Sequence, residues 1–119
     1  MAEKSSREGV LLNQARLYAS RHGARLFRNQ RGKYRATDGR WIEYGLAHGA
    51  SDLIGWRVVT ITPDMIGMRL AQFVAIECKS GRRALTAGQS AFVNTVEQAG
   101  GRAGVVRTID EVRTLFDSN

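Results

Sequence analysis

Two stretches of the chain decide the predicted fold: LIGWRVVTIT, residues 53–62, and LAQFVAIECK, residues 70–79. Both are rich in the β-branched and aromatic residues that favour strands. Between them, Pro63-Asp64-Met65-Ile66-Gly67 has the proline and glycine that are typical of a turn. The sequence therefore predicts two long strands that form a central antiparallel hairpin.

Hydrophobic periodicity predicts further elements on both sides of this hairpin. In chain order, the predicted elements are a helix from Glu8 to about His22, strands at Ala24–Arg28, Leu53–Thr62 and Leu70–Lys79, a helix at Thr86–Ala99, a strand at Ala103–Arg107 and a helix from Thr108. The order αβββαβα includes a strand, helix, strand crossover over residues 70–107, which implies a parallel strand pair. We expect an α/β protein whose mixed sheet is flanked by helices.

Each predicted helix has an inward apolar stripe. The stripes comprise Leu11, Leu12, Ala15, Tyr18 and Ala19 in the first helix, Phe92, Val93, Val96 and Ala99 in the second, and Ile109, Val112, Leu115 and Phe116 in the third. Thr108 and Glu111 have the spacing of a capping box, as do Thr86 and Gln89.

Composition points to one compact domain, residues 1–119, with a polyanionic partner. The chain has 18 basic against 11 acidic residues, a net charge of +7, and 15 of the basic residues are arginine. A merely basic soluble protein is the alternative. Cys78 is the single cysteine, residues 1–7 lack an apolar signal-peptide core, and no stretch is long and apolar enough to span a membrane. These features predict a cytoplasmic protein.

Residues 31–49 are rich in glycine, arginine and aromatic residues, with Asp38-Gly39 placed for a hairpin turn. This segment is predicted to project as an arm. Its cations and aromatic rings are suited to contacting a nucleic acid backbone or stacking on unpaired bases. A hairpin packed by its own aromatic residues, or used for dimerisation, is the alternative.

Glu77 and Lys79 are predicted to share one face of their strand, because strand side chains alternate. Val74, Ile76 and Cys78 would then form the opposite, apolar face beneath a helix. This makes Cys78 a small core residue rather than a nucleophile. A carboxylate and an ammonium at this spacing are often only a solvated pair, so their partner matters.

Two aspartates compete to be that partner. Glu77 lies as far beyond Met65 as Leu53 lies before it, so a hairpin centred at Met65 places Asp52 next to Glu77. Asp64 would lie at the turn, roughly 30 Å away at ~3.3 Å per residue. We therefore predict that Asp52 joins Glu77 and that Asp64 is a turn residue. Two carboxylates and an ammonium are the groups needed for metal-dependent phosphodiester cleavage.

Helical spacing turns two more polar residues towards the sheet. Glu8 lies on the stripe of Leu12 and Ala19, where it is predicted to face inward; a favourable charge at a helix N-terminus is the alternative. Gln89 lies on the inward stripe with Phe92, so it has a possible site role besides its capping box.

Together these residues resemble the virus-type replication-repair nuclease (VRR-NUC) domain of the PD-(D/E)xK superfamily, over nearly the whole chain. The resemblance rests on Glu8, Phe27-Arg28-Asn29, Gly49-Ala50-Ser51-Asp52, Glu77-Cys78-Lys79, Leu85-Thr86-Ala87-Gly88-Gln89, Gly100-Gly101 and Val105-Val106-Arg107. Ser51 stands where many members have proline. Stand-alone bacteriophage members are the most similar, which would place a phage-encoded protein in the host cytoplasm.

The resemblance implies a restriction-endonuclease-like core and an Mg²⁺- or Mn²⁺-dependent endonuclease. Asp52, Glu77 and the backbone carbonyl of Cys78 would hold the metal, with Glu8 acting through a bound water. Lys79 would position the attacking water and stabilise charge on the phosphate. Gln89 would orient a ligand or Lys79.

DNA is the expected partner, and phosphate contacts are expected from basic residues in and near the arm and after the Glu77 strand. They are Arg28, Arg31, Lys33, Arg35, Arg40, Arg82 and Arg83. Kinship implies a homodimer that cuts branched DNA such as four-way (Holliday) junctions. The alternatives are a nicking or flap-directed nuclease of the same mechanism and a non-catalytic nucleic-acid-binding module.

Overall fold

The structure, a computed structural model, describes residues 6–117. The elements are α1 (Ser6–Arg21), β1 (Ala24–Arg28), β2 (Gly32–Arg35), β3 (Trp41–Tyr44), β4 (Leu53–Arg57), a 3-10 turn (Pro63–Met65), β5 (Val74–Cys78), α2 (Ala87–Gln98), β6 (Arg102–Val106) and α3 (Ile109–Asp117). The α/β class is confirmed, and so is the predicted order once the β2–β3 hairpin is set aside. The chain forms two compact units, Met1–Arg57 and Val58–Asn119.

In the first unit, β1 and β4 form an antiparallel pair with α1 packed against β1. The register runs from Ala24 opposite Arg57 to Arg28 opposite Leu53. A Cβ atom at Gly55 would lie 1.8 Å from the carbonyl oxygen of Arg25, so only glycine fits this closely packed ladder.

The core of this unit is narrow, and it corrects the predicted stripe of the first helix. Leu12 and Ala19 are buried, whereas Leu11 is 64% and Tyr18 65% exposed. The reason is that α1 packs on the short strand β1, which covers one narrow side of a helix. Tyr18 instead stacks on His22, with ring centroids 3.8 Å apart.

The predicted arm contains the hairpin β2–β3. Gly32 pairs with Tyr44 at one end of the ladder and Arg35 with Trp41 at the other. Gly39, with a positive φ of 90°, allows the chain to reverse, so the predicted turn at Asp38-Gly39 is confirmed.

In the second unit, β5 and β6 form a parallel pair connected through α2, as the predicted crossover requires. Val96 of α2 is 1% exposed, and Ala103 and Val106 of β6 are also buried. Gly101 enters the strand beneath α2, where a Cβ atom would lie 2.7 Å from Cγ1 of Val96. This side of the sheet therefore packs too tightly for any side chain at residue 101.

The prediction of a long hairpin between residues 53–62 and 70–79 is wrong in strand length and in pairing. Glu77 lies opposite Val105, and Leu53 lies opposite Arg28. The sheets found within residues 6–117 each have two strands. The strands β1, β4, β5 and β6 have five residues each, and all five residues of each strand are paired with the partner strand.

The predicted position of Cys78 in the core is also wrong, because Cys78 is exposed and Val74 on the same face is 37% exposed. The covered face of β5 is the opposite one, where α2 contributes Gln89 against Glu77. Crossover packing thus covers the polar face of the strand rather than the apolar one.

The last helix differs from its prediction in a similar way. Its capping box at Thr108 and Glu111 is confirmed, with Glu111 N donating to Thr108 Oγ1 at 3.2 Å. Ile109 and Phe116, however, are 63% and 60% exposed, because this nine-residue helix contacts β6 through a single narrow side. Leu115 is the residue that approaches Gly104 of that strand.

Asp64 lies in the 3-10 turn, so its predicted role as a turn residue is confirmed. The Thr62 hydroxyl donates to Oδ1 of Asp64 at 2.5 Å, and together with a backbone hydrogen bond this lowers the pKa of the carboxyl. None of the helices found between residues 6 and 117 has the length and apolar character needed to cross a membrane.

Candidate functional site

Glu77 and Lys79 lie at the end of β5 and point to the same side of the strand, as strand alternation predicts. The Lys79 Nζ atom is 4.0 Å from Oε1 of Glu77. The Lys79 side chain is 8% exposed and that of Glu77 is 35% exposed. An ammonium with so little exposure is held in place, whereas the carboxylate remains accessible to a ligand.

Gln89 completes this cluster from the first turn of α2. Its Nε2 atom donates to Oε1 of Glu77 at 2.7 Å. Its Oε1 atom accepts from the backbone N–H of Thr86 at 2.9 Å, and its own backbone N–H donates to Thr86 Oγ1 at 3.1 Å. The capping box fixes the amide group, so the same side chain caps the helix and orients the carboxylate.

The inward position predicted for Gln89 is confirmed, and its contact corresponds to the first of the two predicted alternatives, a metal-ligand residue or Lys79. The amide contacts the carboxylate of Glu77, not Lys79. Since Glu77 Oε1 receives both the amide donor and the ammonium, one carboxylate oxygen is surrounded by positive potential.

A cavity of about 360 Å³ adjoins the cluster. Its lining comprises Ala75, Ile76, Glu77, Gly88, Gln89, Phe92 and Val93. Apolar walls with one carboxylate and one amide are typical of a site where a few polar groups orient a ligand. Gly88 leaves open space at the helix N-terminus, because nothing lies within 4 Å of a Cβ atom built there.

The loop after β5 carries Arg82 and Arg83, both of which are exposed as a phosphate-binding role requires. Arg107 at the end of β6 holds this loop: its Nε atom donates to the carbonyl of Gly81 at 2.8 Å, and its Nη2 atom donates to the carbonyl of Arg83. Sequence reasoning assigned no role to this arginine. Arg107 directly follows β6, the strand parallel to β5, and this position could have indicated that its side chain lies near the loop after β5.

Asp52 lies in the first unit, immediately before β4, and its side chain is exposed. The carbonyl oxygen of Asp52 accepts from the backbone N–H of Asn29 at 2.8 Å, while Asn29 Nδ2 donates to the carbonyl of Ser51 at 3.1 Å. Asn29 also accepts from Leu46 N at 3.1 Å. The backbone before and after the arm is therefore held by one asparagine, which fixes the start of β4.

Glu8 does not face inward; its position fits the predicted alternative, a favourable charge at the N-terminus of α1. It is exposed in the first turn of α1, and it borders a cavity of about 490 Å³ together with Arg7, Val10, Leu11 and Gln14. Inward-facing positions on α1 begin at Leu12, since the strand beneath the helix is too short to cover its first turn. A carboxylate at this end of a helix is favoured by the helix dipole.

The basic residues predicted to contact DNA fall into two groups. Arg28, Lys33 and Arg35 are exposed, as are Arg82 and Arg83. The second group has structural contacts and overlaps with the first: Arg31 Nε donates to the Leu46 carbonyl at 2.8 Å, Arg35 Nε donates to the Gly39 carbonyl at 3.3 Å, and Arg40 Nε pairs with Asp38 at 2.7 Å. These three arginines close the base and the turn of the arm.

The two faces of the arm hairpin carry different side chains. On one face, Lys33 Nζ lies 5.3 Å and Arg35 Cζ 5.7 Å from the centroid of the Trp41 ring. On the other, Tyr34 and Tyr44 contact each other with ring centroids 6.4 Å apart. Trp41 is 61% exposed, so the charged face presents an accessible indole.

A divalent cation requires several hard oxygen ligands. Glu77 fits one such position, because a carboxylate that accepts from Gln89 retains lone pairs for a metal. Among residues 6–117, no three His, Cys, Asp or Glu side chains come together in a group that could hold a metal ion. Glu77 is thus a single candidate ligand among the described residues of this cluster.

No family model, curated protein or solved structure matches the chain.

Proposed function

We propose that this protein is a metal-dependent DNA endonuclease that hydrolyses phosphodiester bonds. The observation that carries the proposal is the cluster at the end of β5, where Gln89 and Lys79 both approach Oε1 of Glu77. A carboxylate oriented by a neutral donor, beside a fixed ammonium and a cavity, combines a metal ligand with a group that stabilises negative charge.

Glu77 is the metal ligand in this proposal, and Mg²⁺ or Mn²⁺ is the metal. A divalent cation held there would polarise a phosphate oxygen and lower the pKa of a bound water. Gln89 keeps the carboxylate in one orientation through its 2.7 Å hydrogen bond. The cavity beside the carboxylate gives a phosphate access to it.

Lys79 supplies the positive charge that the reaction needs. Its ammonium group orients the attacking water and balances the charge that develops on the phosphate. Low exposure supports this role, because an electrostatic interaction is stronger where water is excluded.

The remaining residues of the proposed active site are assigned from the sequence. Asp52 and the backbone carbonyl of Cys78 are proposed as further metal ligands, and Glu8 as a residue that acts through water. Their assignment, like that of a restriction-endonuclease-like core of VRR-NUC type, rests on the motifs and on the order of elements. Asn29 supports it indirectly, since this residue holds the backbone of Ser51 and Asp52.

Branched DNA is the proposed substrate, with four-way junctions as the favoured form. The net charge of +7 and the exposed cations Arg28, Arg82 and Arg83 support a DNA partner, because phosphate neutralisation dominates affinity. One small site cuts one strand at a time, so paired incisions require a homodimer. Light scattering of the full chain tests this point, and a strict monomer contradicts it.

The decisive experiment is Mg²⁺-dependent cleavage of a panel of labelled duplex, flap, splayed and four-way DNA. Asp52→Asn and Lys79→Ala should abolish cleavage while binding remains. Asp64→Asn is the matched control, since it removes the other eligible aspartate and should cut as the wild type does. Cleavage by Asp52→Asn and Lys79→Ala at the wild-type rate would reject the site, and cleavage of flaps alone would favour the flap-directed alternative.

A non-catalytic nucleic-acid-binding module is the second candidate, favoured by the exposed, charged face of the arm. Such a module binds DNA equally well with and without Mg²⁺ and leaves every member of the panel intact. Glu77 argues against it, because a carboxylate beside bound phosphates repels them unless a cation lies between.

A further inference from the structure

The charged face of the arm hairpin brings two cations to one aromatic ring. Lys33 and Arg35 are two residues apart on β2 and therefore share one face of the hairpin. Both side chains lie over Trp41 of the neighbouring strand, within the range of cation–π attraction. Because the two cations repel each other, an anion that reaches both of them is bound favourably. Trp41 is nevertheless 61% exposed, so part of its indole remains open beside the two cations.

We propose that this face is a binding site for an unpaired segment of a DNA strand, in which one base stacks on Trp41 and the adjacent phosphates contact Lys33 and Arg35. Base-aromatic stacking beside positive charge is the general mode of single-strand recognition. Bases of an intact duplex are already stacked on their neighbours, so the site selects unpaired nucleotides. The inference rests on the proposed function for the choice of DNA as the nucleic acid.

The charge of this face supports a polyanionic ligand. The arm, residues 31–49, has two acidic residues, Asp38 and Glu43. Asp38 is occupied by Arg40 at the turn, at 2.7 Å. Glu43 lies opposite Lys33 in the ladder, so Lys33, Arg35 and Glu43 together leave this face with a net charge of +1.

The site is also preorganised. The hairpin is fully paired from Gly32 to Tyr44, and Asn29 and Arg31 hold its base through hydrogen bonds to Leu46. Tyr44 covers Gly32, where a Cβ atom would lie 2.2 Å from the tyrosine oxygen. The opposite face is partly covered by its own tyrosines, and a ligand gains from a platform that needs no ordering on binding.

The two tryptophans make a direct test possible. Trp56 lies in β4 against Phe27, with ring centroids 5.5 Å apart, whereas Trp41 is on the arm. In the Trp56→Phe variant, Trp41 is the single remaining tryptophan. Titration with a short oligothymidylate in EDTA should quench its emission saturably, and a blunt duplex of equal length should quench it far less. In the reciprocal Trp41→Phe variant, the remaining emission should hardly change.

Affinity for the same oligothymidylate, measured by anisotropy, gives the second readout. Trp41→Ala should weaken binding by about tenfold, the loss expected for one stacked base. The double change Lys33→Ala with Arg35→Ala should weaken it more than Arg16→Ala with Arg21→Ala, which removes the same charge from α1. Equal losses in the two double variants, or equal quenching by duplex, would overturn the inference.

The outcome is separable from that of the proposed function, because binding is measured without metal. If Trp41→Ala binds single strands normally while cleavage depends on Lys79, the arm inference fails and the nuclease proposal stands. If binding requires Trp41 but no DNA is cut with Mg²⁺, the arm inference stands and the nuclease proposal fails. Circular dichroism confirms that each variant is folded.

Discussion

Gln89 donates from Nε2 to Oε1 of Glu77 at 2.7 Å while its own Oε1 accepts the backbone N–H of Thr86. One side chain thus joins the N-terminus of α2 to the carboxylate at the end of β5. The two ends of this amide can be altered separately, because glutamate retains the acceptor and loses the donor.

Gln89→Glu should therefore leave the helix cap intact and disrupt the site. Glutamate at this position still accepts from Thr86, so the helix cap is retained and any loss of stability should come from the contact with Glu77. Two carboxylates would then face each other across the former hydrogen bond, and cleavage should fall at least about tenfold. Thr86→Ala is the control: it should cost about 1 kcal/mol through the lost cap and keep the contact with Glu77. Equal effects of the two changes on cleavage would contradict an orienting role.

Gly55→Ala should destabilise the first unit. The new Cβ atom would lie 1.8 Å from the Arg25 carbonyl oxygen, so the β1–β4 ladder must open. The cost should reach or exceed the upper end of the roughly 1–3 kcal/mol typical of overpacking. Urea unfolding followed by the fluorescence of Trp56 measures it in a Trp41→Phe background, which removes the second tryptophan. Gly9→Ala in α1, where nothing lies within 4 Å, should be neutral or stabilising by about 0.5–1 kcal/mol.

Asn29 should control the order of the arm base. Asn29→Ala removes the acceptor for the Leu46 amide, and exchange of that amide with solvent should accelerate. Asn29→Asp retains the acceptor but loses the donor to the Ser51 carbonyl, so protection of Leu46 should persist. Hydrogen exchange followed by nuclear magnetic resonance separates the two. Similar protection in both variants would show that the Asn29 side chain does not hold this segment.

Asp64 should titrate below the ordinary aspartate pKa of 3.8, because Thr62 donates to its carboxylate. The interaction favours the ionised form, so its contribution to stability is present above that ordinary value. It is lost as the pH falls through the lowered pKa of the folded state. Thr62→Val should bring the pKa of Asp64 back towards 3.8. Carboxyl chemical shifts measured against pH test this, and an unchanged pKa in the variant would assign the shift to the backbone hydrogen bond.

Local features were predictable from sequence because their determinants lie within a few residues. The capping boxes of Thr86 with Gln89 and of Thr108 with Glu111 follow from spacing, and the turn at Asp38-Gly39 follows from the freedom of glycine. The shared face of Glu77 and Lys79 follows from strand alternation. Inward orientation of Gln89 follows from helical periodicity.

Strand pairing was not predictable in the same way. The assumption that neighbouring strands pair led to a hairpin that placed Leu53 opposite Glu77, whereas Leu53 pairs with Arg28 and Glu77 with Val105. The sequence of a single strand does not determine which other strand it pairs with. Gly55 could have indicated that β4 is closely paired with another strand, since glycine within a strand indicates close backbone approach.

Burial was misjudged where a small domain lacks surface to cover its apolar residues. Tyr18 and Phe116 have the correct spacing for a core but remain exposed, because the elements beneath them are short. Cys78 is exposed for a related reason: α2 covers the other face of its strand.

Arg107 gives the second unit a mechanical linkage. Its side chain holds the loop at Gly81 and Arg83, while its backbone N–H donates to Glu111 of the α3 capping box at 2.7 Å. Unwinding of the first turn of α3 would remove the hydrogen bond between Arg107 and Glu111 and would therefore weaken the hold of Arg107 on the loop with Arg82 and Arg83. Damage to the start of α3 is thus expected to increase the mobility of the loop that carries Arg82 and Arg83, because Arg107 connects the two.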